Sequence, residues 1–248
     1  MNIALIGYGK MGKAIEQAAA DRKINVVRIF TEEENNLGAA LTQTTLAGVD
    51  VCIDFSTPSA AVANIEAVAA CGKNIVVGTT GWYDRLESVR GIVASKNIGL
   101  LYAPNFSIGM NLFSHLLEVA ADYFDKMPMY DVSLHETHHQ QKLDNPSGTA
   151  LALGRIILDH MQTKKELHTD ATTPCNNPSS LQIISSRIGD AFGIHNVRFT
   201  SESDTIELVH TATNRSGFAL GALIAAEWLN GKKGVFTMND VLTSLYSR

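Results

Sequence analysis

Ionisable side chains are concentrated in one stretch of the chain, residues 135–150, which reads HETHHQQKLDNPSGTA. Imidazole, carboxylate and ammonium groups are side chains that donate or accept protons in catalysis. Ser147-Gly148-Thr149 then leads into an apolar segment with helical character, and the free backbone N–H groups at a helix N-terminus suit an anion. The stretch therefore indicates a site that holds a small carboxylate or phosphate substrate beside proton donors.

The same stretch contains H-E-x-x-H, the zinc-protease pattern, at residues 135–139. That pattern binds zinc on a helix, where positions i and i+4 share a face. Residues 130–134 instead alternate polar and apolar as a strand does, and four extended residues span roughly 13 Å. The sequence therefore disfavours a zinc hydrolase and predicts no metal site. A solvated polar loop with incidental histidines is the other alternative.

Two elements must position this stretch. The alternation over residues 130–134 predicts a strand, and residues 149–161 read as a helix. We expect the strand to end in a polar loop that carries the ionisable groups and delivers the chain to the helix N-terminus.

Composition limits the class of protein. The chain has 248 residues, 45% of them hydrophobic, which suits one large domain or two modest ones. A formal charge of −5 and the lack of a basic run argue against nucleic acid as a partner. Cys52, Cys71 and Cys175 are odd in number and widely spaced, which is typical of free thiols in a reducing compartment. With a core strand at its start and no apolar run of about eighteen residues, we expect a soluble, cytoplasmic protein that does not enter a membrane.

A glycine-rich turn follows the first apolar run. Gly7, Gly9 and Gly12 form G-x-G-x-x-G between residues 2–6, which read as a buried strand, and residues 13–20, which read as a helix. In this context the pattern is typical of a dinucleotide-binding βαβ unit. Gly7 permits the tight turn, Gly9 lets the backbone approach a pyrophosphate, and Gly12 allows close helix–strand packing. A purely structural glycine turn is the alternative.

An acidic segment, Thr31-Glu32-Glu33-Glu34, follows the second predicted strand about twenty residues beyond the last glycine, where an acidic residue binds the ribose 2′-hydroxyl. Three carboxylates would repel a 2′-phosphate, so the sequence favours NADH over NADPH. The preference would change if the acids form a solvated loop or if Lys10 or Arg28 turns toward the cofactor.

The rest of the chain predicts two domains. Strands at residues 49–55, 74–77 and 98–102 alternate with helices, which indicates a doubly wound, Rossmann-type parallel sheet. After a helix at residues 112–124, the polar, turn-rich segment 163–180 precedes candidate strands at 181–187, 196–201 and 205–213. Strands without intervening helices predict a second α+β domain with an open, mixed and largely antiparallel sheet.

We assign residues 1–106 and 216–248 to a dinucleotide-binding domain and residues 107–215 to a substrate-binding and oligomerisation domain. The helix at 218–229 is expected to return to the first domain and cover its sheet. His195 and His210 lie in no motif, and we interpret both as structural or surface residues.

With these motifs in order, the chain resembles the 4-hydroxy-tetrahydrodipicolinate (dihydrodipicolinate) reductase family over nearly its whole length. The most specific pattern is E-x-H-H-x-x-K-x-D-x-P-S-G-T-A from Glu136 to Ala150, accompanied by the loops at residues 78–81 and 103–107. The chain departs from the family at Asn145, often alanine, and at Thr31, where many members place the ribose-binding acid.

The resemblance implies NAD(P)H-dependent reduction of 4-hydroxy-tetrahydrodipicolinate in the diaminopimelate route to lysine, by a homotetramer joined through sheets of the second domain. It implies that His138 is the catalytic acid/base and Lys142 a proton donor. The substrate carboxylates would be held by His139, Ser147, Gly148 and Thr149. Together with the glycine-rich turn and the acidic segment, it implies these cofactor contacts: Gly7, Tyr8, Gly9, Lys10, Met11, Gly12, Thr31, Glu32, Gly78, Thr79, Thr80, Ala103, Pro104, Asn105 and Phe106.

Two other classes remain as alternatives. A nucleotide-sensing protein without catalytic activity would bind NAD(H) but leaves residues 135–149 unexplained. A Rossmann dehydrogenase acting on a semialdehyde usually needs a catalytic cysteine after a strand, and Cys52 is poorly placed for that role.

Overall fold

The computed structural model describes residues 1–170, 173 and 175–246, and it divides into two compact units, Met1–Ile108 with Arg215–Arg248 and Gly109–Asn214. None of the described helices is long and apolar enough to cross a membrane. The strands are β1 Asn2–Ile6, β2 Asn25–Phe30, β3 Val51–Asp54, β4 Asn74–Val77, β5 Gly99–Tyr102, β6 Asp131–His138, β7 Glu166–His168, β8 Ser180–Arg187, β9 Ile194–Thr200, β10 Thr205–Thr211 and β11 Gly234–Phe236. The helices are α1 Lys10–Asp21, α2 Pro58–Ala70, α3 Leu86–Lys96, α4 Ile108–Phe124, α5 Gly148–His160, α6 Ser216–Leu229 and α7 Met238–Tyr246.

The first unit is built on a six-stranded parallel sheet with the order β11-β5-β4-β3-β1-β2. Strands β3 and β4 are buried at every residue, because helices cover both faces of the sheet. One core joins the sheet to α1, α6 and α7, and the other joins it to α2 and α3. The predicted doubly wound parallel sheet is confirmed, and α6 packs on it as expected.

The second unit contains a five-stranded sheet with the order β10-β9-β6-β8-β7. The pairs β10–β9 and β6–β9 are antiparallel, whereas β6–β8 and β7–β8 are parallel. Helices α4 and α5 contribute to its core, which includes Leu117, Leu153 and Phe199. The expected open, mixed sheet is confirmed. It is less antiparallel than the sequence suggested, since the crossover through α5 brings β8 in parallel to β6.

The boundary of β6 corrects one expectation. The strand continues to His138, so residues 135–138 lie in the sheet and not in a polar loop. Their side chains still alternate between half-buried and buried, which is the strand period, and β6 is paired on both sides. The expected polar loop begins only at His139. Short β7 lies in the segment 163–180 that was expected to be turn-rich, of which residues 171, 172 and 174 fall outside the described part of the chain.

Candidate active site

The glycine-rich turn joins β1 to α1, and two of its glycines are required by contacts. Gly7 has φ +87°, and a Cβ there would lie 2.3 Å from the Phe55 carbonyl oxygen. A Cβ on Gly12 would lie 2.4 Å from the Gly7 carbonyl oxygen, whereas Gly9 has open space around it. Gly9 is the N-cap of α1 and provides no side-chain cap, so the first N–H groups of the helix are available to an anion. The turn therefore fits the pyrophosphate of a dinucleotide.

A cavity of about 440 Å³ lies beside this turn. Of the predicted contacts, Gly7, Tyr8, Gly9, Thr31 and Glu32 line it, together with Glu33. Lys10, Met11 and Gly12 are not among its lining residues. The Tyr8 hydroxyl donates a hydrogen bond to Glu16, which keeps the tyrosine at the cavity wall.

Lys13 also lines the cavity, and its ammonium lies 5.7 Å from the centre of the Tyr8 ring. Lys10 and Arg28 were the cations expected from sequence near the cofactor. Lys13 was not predicted, although position 13 follows the last glycine directly. The cavity wall thus carries two carboxylates and one ammonium.

Asp54, at the end of β3, is fully buried and connects three loops of the first unit. Its carboxylate accepts hydrogen bonds from the Ser56 N–H at 2.9 Å, the Asn64 amide at 2.8 Å and the Thr79 hydroxyl at 2.8 Å. Asn64 in turn accepts a hydrogen bond from Asn35 at 2.9 Å. Burial raises the pKa of Asp54, against the opposing effect of these donors. Asp54 was not predicted as a functional residue. Its position as the only charged residue at the end of the apolar strand β3 could have indicated it.

The loops after β4 and β5, predicted to line the nicotinamide, meet at the Phe55 ring. A Cβ on Gly78 would lie 2.1 Å from that ring, so any other residue would have to displace the ring. The ring packs edge-on against Phe106 with 5.7 Å between centres. Thr79 is buried, and its carbonyl accepts the Trp82 indole N–H at 2.8 Å. Ala103 is also buried, Asn105 is partly buried, and Thr80 and Pro104 are exposed.

In the second unit, Glu136 lies at the centre of a buried cluster. Glu136 and His138 are two residues apart on β6 and share a face, and His195 on β9 is the cross-strand partner of Glu136. Glu136 Oε2 lies 3.2 Å from His138 Nδ1 and 3.8 Å from His195 Nε2. The 3.2 Å contact has hydrogen-bond length, but the ring N–H is not aimed at the oxygen, so it is an ion-pair contact rather than an aligned hydrogen bond.

The other oxygen of Glu136 is held by two donors. Oε1 accepts the Ser147 N–H at 2.9 Å and Arg187 Nη2 at 3.2 Å. Burial would raise the pKa of Glu136, but His138, Ser147 and Ser185 outweigh it and hold that pKa well below the usual range. The pKa of His195 is lowered to about 4, mainly by burial and then by the charge of His138. Glu136 is therefore a carboxylate facing a neutral His195.

The segment after β6 is tied to the same cluster through Arg187. The guanidinium donates to the carbonyl oxygens of Asp144 and Lys142. The Lys142 ammonium lies 2.8 Å from Asp144, and the hydrogen bond from Lys142, together with its charge, keeps the pKa of Asp144 low against the opposing effect of burial. Sequence reasoning missed Arg187, since it lies 51 residues from Glu136.

Ser147 caps α5 by accepting the Ala150 N–H on its hydroxyl at 3.0 Å. Gly148 is exposed with open space around it, and Thr149 and His139 are partly buried. The structure thus brings His138, Lys142 and the Ser147-Gly148-Thr149 helix end, all predicted from sequence, to the carboxyl end of β6. This arrangement can bind an anion next to a proton donor.

The H-E-x-x-H pattern lies on a strand, so His135 points to the opposite sheet face from Glu136 and His138. A different trio brings potential metal ligands together: one donor atom each of Glu136, His138 and His195 lies within 4.8 Å of the others. His195 was interpreted as a structural or surface residue, and its burial in this cluster excludes the surface alternative. Its cross-strand position was not recognisable without the register of β6 and β9.

Comparison with known proteins matches both units to one family. The model for the dihydrodipicolinate reductase N-terminus matches residues 1–106, and the model for its C-terminus matches residues 109–242. The 4-hydroxy-tetrahydrodipicolinate reductase of Christiangramia forsetii is 39% identical over 246 residues, covering 99% of both chains. That of Neisseria meningitidis is 37% identical over 265 residues, covering 98% of this chain and 97% of the relative. The structure of a dipicolinate-bound dihydrodipicolinate reductase from Paenisporosarcina sp. TG-14 has the same fold, with a TM-score of 0.77 at 23% identity and coverage of 96% and 97%.

Proposed function

The chain belongs to the dihydrodipicolinate reductase family, and we propose that it reduces 4-hydroxy-tetrahydrodipicolinate to tetrahydrodipicolinate with NADH or NADPH. The observation that carries this proposal is the cluster at the end of β6, where Glu136 connects His138 to the N-terminus of α5 and, through Arg187, to the Lys142 segment. A reductase acting on a dicarboxylate needs both an anion site and a proton donor. The cluster provides the two within one unit.

His138 is assigned the proton transfer. Loss of the 4-hydroxyl group as water leaves a carbon–carbon double bond conjugated to the ring imine. The reduced nicotinamide, when bound, supplies a hydride to this double bond. The electron pair then moves toward the ring nitrogen, and the neighbouring carbon has to gain a proton, which His138 donates with Lys142 as the second donor.

The substrate carboxylates are assigned to the start of α5. Ser147, Gly148 and Thr149 lie at the helix N-terminus, where the helix dipole favours negative charge. The Ser147 N–H is donated to Glu136, so Ser147 would contribute its hydroxyl. Lys142, at present paired with Asp144, can exchange that partner for a substrate carboxylate in a charge-assisted hydrogen bond. His139 is assigned to the substrate carboxylates as well.

The first unit is assigned to the dinucleotide and the second to substrate and oligomerisation. Gly7, Gly9 and Gly12 would hold the pyrophosphate, the cavity with Thr31 and Glu32 the adenine ribose, and the loops after β4 and β5 the nicotinamide. We further propose a homotetramer in the cytoplasm, from the family and the sequence, with no metal, nucleic acid or membrane as partner.

Glu32 and Glu33 favour a free ribose 2′-hydroxyl, whereas Lys13 is the lining cation able to pair with a 2′-phosphate. We expect NADH to be used at least as well as NADPH, because two carboxylates outweigh one exposed ammonium. A coupled assay with freshly generated substrate, following NADH and NADPH oxidation separately, measures this. A kcat/KM for NADPH tenfold above that for NADH, about 1.4 kcal/mol, would contradict the expectation.

Two variants test whether Lys13 determines the choice between NADPH and NADH. Lys13→Ala should reduce use of NADPH more than NADH if Lys13 contacts the 2′-phosphate. Lys96→Ala is the matched control, since Lys96 is an exposed lysine of α3 that is not among the lining residues of the cavity. Tight NADH binding without turnover of this substrate would instead favour the nucleotide-sensing alternative.

A further inference from the structure

Among the buried polar atoms of the second unit that lack an aligned hydrogen-bond partner, two face each other. Glu136 Oε2 and His138 Nδ1 are both inaccessible to solvent and make no aligned hydrogen bond. They lie 3.2 Å apart, and the other ring nitrogen near Oε2, His195 Nε2, is farther away at 3.8 Å. A buried donor or acceptor left without a partner costs free energy comparable to a lost hydrogen bond. A small rotation of the imidazole would align the pair and satisfy both atoms at once.

The charge on Glu136 makes the direction of that hydrogen bond unambiguous. Its other oxygen accepts from the Ser147 N–H and from the Arg187 guanidinium, and both donors favour the ionised carboxylate. A carboxylate only accepts hydrogen bonds, so the proton has to be on the imidazole nitrogen. His195, which is neutral, contributes no charge that would compete for the carboxylate.

We propose, resting on the function assigned above, that Glu136 is a positioning residue that keeps a proton on His138 Nδ1, so that His138 Nε2 exchanges the proton with substrate. When Nε2 releases its proton to the substrate carbon, the imidazolium becomes a neutral ring that still carries the Nδ1 proton. A proton taken up from the solvent then restores Nε2–H. Because Glu136 also holds the Ser147 N–H, it fixes the proton donor relative to the first residue of the anion-binding helix end.

Gly193 marks the Nε2 side of the ring. It has φ +147°, and a Cβ there would lie 3.1 Å from Nε2 and 3.4 Å from Cδ2 of His138. Any other residue would be strained and would crowd the nitrogen that is proposed to exchange the proton. Gly189, in the same β8–β9 connection, also has positive φ but has open space around its Cβ position.

The primary test reads the tautomer of His138 directly in the full-length protein. With histidine rings labelled with ¹⁵N, and at a pH high enough for a neutral ring, we expect a protonated Nδ1 and an unprotonated Nε2. The resonances are assigned from the spectrum of His138→Gln. A wild-type ring with its proton on Nε2 would overturn the proposal without any variant having to fold. This readout does not depend on turnover, so its failure is distinguishable from failure of the proposed function.

The variants extend the test to catalysis. Glu136→Gln keeps the size but has one acceptor oxygen, which the Ser147 N–H and Arg187 occupy, so that an NH2 donor faces His138 Nδ1. The Nδ1 preference should therefore disappear and kcat should fall about a hundredfold or more, with NADH affinity unchanged. Glu166→Gln is the matched control, since Glu166 also accepts hydrogen bonds, from Asn177 and Ser180, on β7. An unchanged tautomer in folded Glu136→Gln would refute the proposal.

Gly193→Ala should lower kcat well beyond Gly189→Ala while the Nδ1 tautomer stays, because the added Cβ crowds the Nε2–Cδ2 side of the ring and not Nδ1. Equal activities of the two alanine variants would exclude Nε2 as the exchanging atom. Activity should also survive dialysis against a chelator. Stoichiometric Zn²⁺ whose removal abolishes turnover would instead make Glu136, His138 and His195 metal ligands and overturn the positioning role.

Discussion

His138 has a mostly buried ring that lies against the Glu136 carboxylate on one side and Gly193 on the other. Such a ring is either a catalytic acid/base or a core histidine, and the two roles differ in what its removal affects. If His138 donates the proton, His138→Gln should lower kcat by roughly 10²–10⁴, the usual contribution of a positioned general acid. NADH affinity should hardly change, because the predicted cofactor contacts belong to the first unit.

His160→Gln is the matched control, since its ring also contacts a carboxylate of the same unit, Asp122 at 2.8 Å. Both kcat and melting temperature should be measured on one preparation. A folded His138→Gln protein with near-normal kcat would exclude the acid role. Lys142→Ala should lower kcat and raise KM for substrate, because the ammonium is assigned both to protonation and to a substrate carboxylate.

His195 should make stability depend on pH. Its pKa is lowered from 6.5 to about 4 because burial disfavours the charged ring. The folded protein therefore prefers the neutral form. This contribution is fully present above about pH 6.5 and is lost as the pH falls toward 4. Between pH 7 and pH 4.5 the loss of unfolding free energy amounts to about 2–3 kcal/mol.

Urea unfolding of the wild type and His195→Gln at these two pH values measures the effect. The variant should lose less stability than the wild type on acidification. His115→Gln is the control, because His115 lies on α4 with an exposed ring. Parallel losses in wild type and His195→Gln would show that His195 is not held neutral by the fold.

At the scale of elements, the strands and helices that carry a simple period were predictable from sequence. The apolar run of β4 and the alternation of β10 gave their positions within a few residues. The end of β6 was not predicted, because Glu136 and His138 are polar residues that belong on a surface unless partners from other strands satisfy them. Those partners, Arg187 and His195, come from β8 and β9 and depend on register. The buried residues of the site could therefore be identified only from the three-dimensional fold.

Asp54 illustrates the same point for the loops of the first unit. Asp54→Asn replaces one acceptor oxygen with an amide that faces donors from Ser56, Asn64 and Thr79. We expect a lower melting temperature and a KM for NADH raised about tenfold, roughly 1.4 kcal/mol, because the Asn64 and Thr79 contacts hold the cavity and the Gly78 loop.

Asp50→Asn is the matched control, since Asp50 precedes the same strand and accepts the Asn2 N–H at 2.7 Å on the surface. Thermal unfolding and NADH titration of both variants make the comparison. If Asp54→Asn loses stability but binds NADH as tightly as the control, Asp54 is structural and does not position the cofactor loops.

At the scale of the whole molecule, the open edge of the second sheet favours association. Strand β10 lies at that edge, and two of its apolar side chains are exposed, Ile206 at 45% and Val209 at 52%. An exposed edge strand with apolar side chains is prone to pair with or pack against another chain. We therefore expect a homo-oligomer formed through the second unit, and light scattering at micromolar concentration should give a mass well above the monomer's 26.8 kDa.

Charge placed on that edge should separate the subunits. Ile206→Lys with Val209→Lys should shift the scattering mass toward the monomer, because burying an ammonium against another subunit is costly. Leu37→Lys in the first unit is the matched control, since Leu37 is exposed to a similar extent, 57%, and the first unit is not assigned to assembly. A wild-type monomer would contradict the expected homo-oligomer. An oligomer that survives the double lysine variant but dissociates in the Leu37 variant would place the interface away from β10.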